Sequence, residues 1–367
     1  MKLRIERGAL LKSLGHMQSV VERRNTIPIL SNVLLDAGGG KIALTATDLD
    51  LWMVEDVEAE ISQDGGTTVP AQMLYDIVRK LPEGSQGELA TESDGRLLVR
   101  SGRSRFHLPC LDREDFPVVP DGDFPHTFDL AAKELRRLIE KTRFAISTEE
   151  TRYYLTGVYL HAADKALRAV ATDGHRLARV EADLPKSAAG MPGVIIPRKV
   201  VQEMHRLLEG VDADVGLALS ESKIRMNLEG AVLTSKLVDG TFPDYQRVIP
   251  TGNDKRMEVD AKTLSSAIDR VSTVSTEKSR AVKIALNADK ALLSASSAEH
   301  ASATEEVSVD YSSAAVEIGF NARYLMDILS EIDGVNVVFA FNDAVSPTIV
   351  RDSEDERALY VLMPMRV

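Results

Sequence analysis

A single cysteine, Cys110, stands in 367 residues. That excludes an internal disulfide and any multi-cysteine metal site, and it points to the cytosol. The thiol closes an apolar strand-like run from His107 to Leu111, where an inert side chain is expected. Long hydrophobic runs are missing too. None nears about 18 residues and the N-terminus has no secretory profile, so no membrane span or crossing is expected and the chain reads as cytoplasmic. Positive charge is scarce: Lys and Arg number 44 against 56 Asp and Glu, a formal net charge of −12. Taken whole, that balance argues against a nucleic-acid binder. The sequence contains no phosphate-cradling GxxxxGKS/T loop, no GxGxxG after a strand, no HExxH and no GxSxG, the loops and helices that carry common catalytic chemistries.

What is present is repetition. Residues 152–182 read as three strand-like runs (Tyr154 to His161, Ala166 to Thr172, Arg176 to Ala182) separated by turns, the second turn at Asp173–Gly174. Related stretches recur at Ser31–Ala59 and Ala281–Val309, with ATD at Ala46–Asp48 matching ATD at Ala171–Asp173 and ASSAEH at Ala295–His300. Offsets of about 125 residues mean copies of whole domains. Each copy divides again into two halves of strand, helix and strands. Leu10, Leu14, Met17 and Val21 mark the apolar face of the first helix, and Leu135, Leu138 and Ile139 that of its counterpart. In the second halves Pro70, Pro197 and Asn321 stand at helix starts and Gly84, Gly210 and Gly334 at helix ends. Clusters of Pro, Gly and Asp at 117–126 and 248–256 divide the chain into 1–125, 126–252 and 253–367. The expected class is α+β, three tandem similar domains with antiparallel sheets. Asp352–Arg357 reads as a solvated hairpin tip, and Trp52 as packed within its own domain.

Charge is segregated. The six helical segments are net basic and the remainder strongly acidic, so helices lining one surface would attract phosphate there. Six helices spaced at about 9–10 Å enclose a hole of roughly 8 Å; twelve enclose about 26 Å. A duplex whose major groove alone is about 12 Å wide passes only the larger hole. A ring of this kind needs two chains.

Five segments, TIPILSNVLL (Thr26–Leu35), RYYLTG (Arg152–Gly157), ATDGHRLA (Ala171–Ala178), FPDYQRVIP (Phe242–Pro250) and MPMRV (Met363–Val367), resemble in order and spacing the signatures of the bacterial DNA polymerase III β subunits, the sliding clamps. The resemblance covers the whole chain. It implies three domains of the DNA-clamp type, each with two inner helices and outer sheets, and a head-to-tail dimer closed into a ring on duplex DNA. It implies no catalysis, cofactor or metal, and as partners replicative and repair DNA polymerases and a clamp loader. Their short peptides would enter a pocket formed by Leu155, Thr172, Gly174, His175, Arg176 and Leu177, by Pro243, Arg247 and Val248, by Asn321, Tyr324, Val345 and Ser346, and by Val361, Leu362, Met363, Pro364, Met365 and Arg366. Arg24 carries over as a DNA contact; the basic residues Arg79, Lys80, Arg136, Arg137, Lys141, Arg198 and Lys199 of the helices are further candidates. Phe106, Thr273 and Val274 occupy dimer-interface positions. Gln72-Met73 stands where the family often has a basic pair, which removes the basis for interfacial ion pairs there. Glu149 and Glu150 replace a usually non-acidic DNA-contacting stretch.

Other chemistries compete for some of these residues. Asp48, Asp50, Asp173 and His175 could be drawn as a metal or acid–base cluster of a hydrolase, against a simpler reading as turn formers. Ser297 and Ala298 near the third equivalent position leave no symmetric ligand set. A peptide-binding repeat scaffold without DNA is the other alternative. Tyr153 and Tyr154 could stack on a single strand or wall a pocket. Val361–Met365 reads from its residues as either a last core strand or a groove of flexible thioethers.

Overall fold

The computed structural model describes residues 1–22, 26–119, 122–275, 281–297 and 301–366. Arg24, His300, Ala298 and Val367 lie outside the described residues. Among the described residues six α-helices form: α1 (Arg7–Val20), α2 (Ala71–Lys80), α3 (Ala132–Arg143), α4 (Arg198–Leu207), α5 (Ala261–Ser272) and α6 (Ala322–Leu329). Each buries one apolar stripe at helical spacing. In α1 the stripe is Leu10, Leu14, Met17 and Val20; Val21, expected on it, is instead the residue that ends the helix, its N–H donating to Met17 O. Leu135, Leu138 and Ile139 are buried as expected.

The chain folds as two compact units that cut across its sequence thirds. The first comprises Met1–Leu135, Pro185–Met191 and Lys199–Leu237, the second Arg136–Leu184, Pro192–Arg198 and Val238–Val367. The physical reason is sheet pairing. Each unit contains an eight-stranded antiparallel sheet in which strands from the first half of one third pair with strands from the second half of the next. In the first unit the order is Gly65–Pro70, Asn32–Gly38, Lys41–Thr47, Leu51–Glu58, Ala231–Lys236, Lys223–Leu228, Asp214–Leu219, His126–Ala131. In the second it is Val194–Pro197, Gly157–Ala163, Ala166–Thr172, Arg176–Asp183, Ala358–Leu362, Thr348–Asp352, Asn336–Phe341, Lys255–Asp260. The two sequences of strands correspond one to one. A five-stranded sheet completes the first unit and a four-stranded sheet, Ser302–Ser308, Lys290–Ser296, Ala281–Asn287, Val316–Asn321, the second.

The central joint of each sheet has the same register. Trp52 faces Thr234 in the first unit and Leu177 faces Val361 in the second. Beyond it, Lys236 N–H donates to Asp50 O and Met363 N–H to His175 O, both at 2.9 Å.

Two expectations need correction. Tyr154 and Leu155 belong to a 3-10 turn, Glu150–Leu155, and the strand starts only at Gly157. Leu155 is buried there by helical closure, its carbonyl accepting from Ser147 N–H, and Gly157 meets the facing strand so closely that a Cβ would lie 2.2 Å from Ile196 O. The run Asp352–Arg357 is a hairpin tip but not a uniformly solvated one. Asp352 is buried and accepts from the N–H groups of Asp333, Gly334 and Glu354, and Asp355 pairs with Arg137 at 2.6 Å.

Candidate peptide pocket and basic helices

The pocket candidates gather within the second unit. Its floor is a cluster on one face of the eight-stranded sheet: Leu155, Val170, Leu177, Ile195, Leu359 and Val361, with Phe242 and Tyr245 packed on it and Tyr154, Val238, Ile249 and Ile349 at its margin. Leu362 points to the other face and is core. Pro243, Arg247 and Val248 lie on the segment whose Phe242, Tyr245 and Ile249 pack onto the floor, and all three are exposed. Arg247 is held by Asp244 at 2.8 Å.

One rim is the turn after Thr172. Asp173 Oδ1 accepts from the N–H groups of His175 (2.9 Å) and Arg176 (3.0 Å), and Oδ2 from Arg176 Nε (3.1 Å). Thr172 Oγ1 braces the same turn, donating to Arg176 O and accepting from Gly174 N–H. Gly174 adopts φ +88°, which glycine reaches without strain; a Cβ would also sit 2.6 Å from Arg152 Nη1. Arg176 continues inward to Asp327 and to Phe144 O, and its guanidinium lies 4.3 Å from the Tyr324 ring centroid. His175 stacks on the other reach of that ring at 6.3 Å. Asn321 holds Tyr324 from below, its Oδ1 accepting from the N–H groups of Arg323 and Tyr324 as the cap of α6.

The second rim is the chain end. The strand Ala358–Leu362 is fully buried, then Met363 emerges 39% exposed. Met365 N–H donates to Gly319 O at 2.8 Å. Asp343 Oδ1 accepts from the N–H groups of Val345 and Ser346, and this turn presents Val345 at 73% exposure. Val345, Pro364, Met365 and Arg366 line a cleft of about 600 Å3 together with Lys283, Glu317, Gly319 and Ala344. Those last four are not legible in the sequence as site residues: they sit in ordinary alternating strands or a turn, and only the fold brings them to the cleft. Val361–Met365 is thus core strand up to Leu362 and cleft wall beyond it. Tyr154 walls the floor while Tyr153 is exposed, the two rings edge-on at 5.7 Å.

The aspartates that could be drawn as a cluster are engaged in turns. Asp48 Oδ1 accepts from the N–H groups of Asp50 and Leu51, and its other oxygen meets Lys199. Asp50 pairs with Lys236 at 2.8 Å. Among the described residues no group of three His, Cys, Asp or Glu is placed to hold a metal. Burial pushes the half-buried Cys110 thiol above its usual pKa, which keeps it protonated.

This geometry can be set beside known proteins. Family models of the DNA polymerase III beta subunit match throughout: the N-terminal domain at residues 1–120, the central domain at 129–244 and the C-terminal domain at 246–366. The chain is 51% identical to the beta sliding clamp of Caulobacter vibrioides and 40% to that of Escherichia coli K12, with all of both chains covered each time. A crystal structure of the sliding clamp (DNA polymerase III subunit beta) from Bartonella birtlesii, bound to griselimycin, superposes with a TM-score of 0.97 at 50% identity over all of both chains. This chain belongs to the DNA polymerase III beta subunit family. It has the three-domain clamp fold, and a beta sliding clamp is a non-catalytic processivity factor.

For a sliding clamp the basic helices matter as much as the pocket, and the structure sorts the candidates. Lys80 and Arg198 are exposed, and neither side chain has an ion-pair partner among the described residues. Arg79 and Arg136 make i,i+3 and i,i+4 pairs with Asp76 (3.2 Å) and Glu140 (3.7 Å), loose enough to yield to phosphate. Three further candidates already have partners within the chain. Lys141 is 5% exposed and engaged by Glu331 O (2.6 Å) and Asp333 (2.7 Å). Arg137 is committed to Asp355 and Glu181 O, and Lys199 to Asp48 and Val20 O. All three side chains are thus engaged within the chain, and of them only Lys141 is buried. Glu149, acidic where the family usually is not, pairs with Arg152 at 2.8 Å.

Proposed function

We propose that two copies of this chain close head to tail into a ring around duplex DNA in the cytoplasm, each built of repeats at 1–125, 126–252 and 253–367. The ring holds replicative and repair polymerases and the clamp loader through the pocket of the second unit. The observation that carries the pocket is the exposed apolar group of Val345, Val248 and Met363 beside its buried floor, surface that a folded chain leaves in water where a partner covers it. DNA is met without sequence preference, through diffuse attraction to Arg79, Lys80, Arg136 and Arg198, because no base edge needs to be read for sliding.

Dimer contacts fall on two sheet edges. Ser104–Pro109, carrying Phe106, is an edge of the five-stranded sheet, and Ser302–Ser308 an edge of the four-stranded sheet; an edge strand has unpaired N–H and C=O groups ready for another chain. Thr273 and Val274 follow α5 in the second unit and are exposed and half-buried. On the first unit Phe106 shares a broad apolar cleft with Met73 and Ile77, while Gln72 bonds to Asp76 within its own helix. An apolar contact thus replaces ion pairs at this position.

Retention on DNA tests the ring. Clamps loaded on nicked circular DNA should stay bound in high salt and be lost when the circle is linearised; equal loss from both forms would refute encirclement. Lys80→Ala and Arg198→Ala should each reduce the salt slope of DNA association by about one without moving the melting temperature.

A further inference from the structure

Beside the apolar floor the same sheet face carries a group of arginines that the fold does not require. Arg179 lies two residues beyond Leu177 on its strand, and Arg351 two beyond Ile349, so both share the face of the floor at a distance of about 7 Å along the strands. Arg168 faces Glu181 on the neighbouring strand. The positive charge here is poorly matched. Arg168 is the better matched, donating to Glu181 Oε1 at 2.8 Å, bonding to Tyr245 and reaching the highly exposed Asp164 at 3.4 Å. Arg179 must share that same Glu181 oxygen, at 3.4 Å, and its buried Nε makes no hydrogen bond. Arg351 has no ion pair among the described residues. Arg168 and Arg179 therefore share one half-buried carboxylate, and Arg351 adds a third positive charge beside Arg179. Burial lowers the pKa of Arg179, with Arg168 and Arg351 acting in the same direction against Glu181.

The corresponding sheet of the first unit shows that this arrangement is dispensable for folding. Val54 stands at the place of Arg179, Asn227 at that of Arg351 and Ala43 at that of Arg168, in matching registers. A half-buried guanidinium with an unbonded Nε, as in Arg179, costs stability, so the presence of this group on one sheet alone points to a ligand. Continuity with the floor says which.

We propose that Arg168, Arg179 and Arg351 form an anion subsite that receives an acidic side chain, Asp or Glu, of the partner segment seated in the adjoining apolar pocket. The planar fork of arginine suits a carboxylate. The spacing places the acid one to three residues outside the apolar anchors of that segment. The inference rests on the pocket reading above, and the test separates the two.

Random peptides displayed on phage are selected on the full-length chain, and one selected peptide is synthesised with its acid, with that acid replaced by its amide, and with a free or amidated C-terminus. The chain variants are Arg179→Val and Arg351→Asn, the residues that the corresponding sheet already accommodates, together with Leu177→Trp. Selection should enrich an acid at a fixed offset from the apolar anchors. Replacing it by the amide should weaken binding about tenfold on the unaltered chain and less than twofold on R179V or R351N. If R179V melts early, R351N alone carries the comparison. Absence of an enriched acid, or equal loss on the chain and its variants, overturns the subsite; so does a loss that follows C-terminal amidation instead. Peptides that ignore Leu177→Trp overturn the pocket itself, whereas peptides that need Leu177 and ignore their own acid overturn only this inference.

Discussion

The row of side chains across the central joint is Ile349–Val361–Leu177–Thr172 in the second unit and Arg225–Thr234–Trp52–Thr47 in the first. Strand order and register are the same, and Thr172 and Thr47 even receive the same N–H from two residues on. The other side chains of the row differ. In the first unit Arg225 Nε donates to Thr234 Oγ1 at 3.1 Å and covers Phe124 at 4.5 Å, Trp52 is buried, and Lys236 and Asp50 pair over the exit. In the second, aliphatic residues occupy those places and the exit carries Met363. One row is covered by its own polar and bulky groups, the other is aliphatic and packs with Phe242 and Tyr245 of a separate segment. A few side chains on a shared frame thus set the two faces apart, and the frame supplies only their positions.

The sharpest way to break this contrast is to write the first unit's residues into the second. Leu177→Trp with Val361→Thr should fill the floor and lower affinity for pocket peptides at least about 100-fold, read by fluorescence anisotropy. Overpacking would cost about 1–3 kcal/mol of stability, which a melting curve separates from blocked binding. Peptide affinity within threefold of the unaltered chain would show that the row does not define the site.

The next contrast lies where helices meet. Lys141 of α3 is buried against Glu331 O and Asp333, while His16 occupies the matching position of α1 and shares a 2.6 Å hydrogen bond with Glu55 Oε1. Lys141→Met should destabilise the chain by about 1–2 kcal/mol, because the Glu331 carbonyl loses its donor while the exposed Asp333 is rehydrated, and should leave the salt slope of DNA association unchanged. A changed slope with unchanged stability would return Lys141 to the DNA-facing set.

These contrasts also show what is readable from sequence. Repetition, helix placement and the turn roles of Asp48 and Asp173 are legible because they rest on local chemistry: Asx turns, caps and periodic apolar stripes leave marks within a few residues. The pocket is reached by resemblance, since Val361–Met365 by itself reads first as core. Lys141, Arg137 and Lys199 are ambiguous because a basic residue on an amphipathic helix looks the same whether it meets phosphate or a carbonyl from a distant strand. The arginines beside the floor are invisible for the same reason: only the register that puts Arg179 beside Leu359, and Arg351 beyond Ile349, makes them neighbours.

Glu331 offers a pH-dependent contrast. Burial pushes its carboxyl up to about 7 despite the opposing pull of Lys141, whereas Leu207, 7% exposed, stands at the matching place at the end of α4. A carboxyl whose folded pKa is raised binds more protons folded than unfolded. Stability from this group is therefore intact below the unfolded pKa of 4.5 and lost as pH rises through about 7. Glu331→Leu should raise stability at pH 8 by up to about 3 kcal/mol, at about 1.4 kcal/mol per pKa unit, and the gain should shrink toward nothing at pH 4. A gain of the same size at both pH values would assign the effect to packing.

The smallest contrast is in the caps of α2 and α6. Pro70 opens α2 with no side-chain bond, whereas Asn321 opens α6 with an oxygen that accepts two N–H groups. That bond engages Asn321 Oδ1, so the part proposed for it in the pocket is to fix the first turn and with it Tyr324. Asn321→Ala should cost about 1 kcal/mol in thermal unfolding and weaken peptide binding only two- to threefold, through a looser Tyr324. Asn321→Ser, which can cap but is too short to reach a ligand, should restore both. A tenfold loss of affinity that serine fails to rescue would mean that the amide touches the peptide itself. The two helix starts would then differ in function as well as in stability.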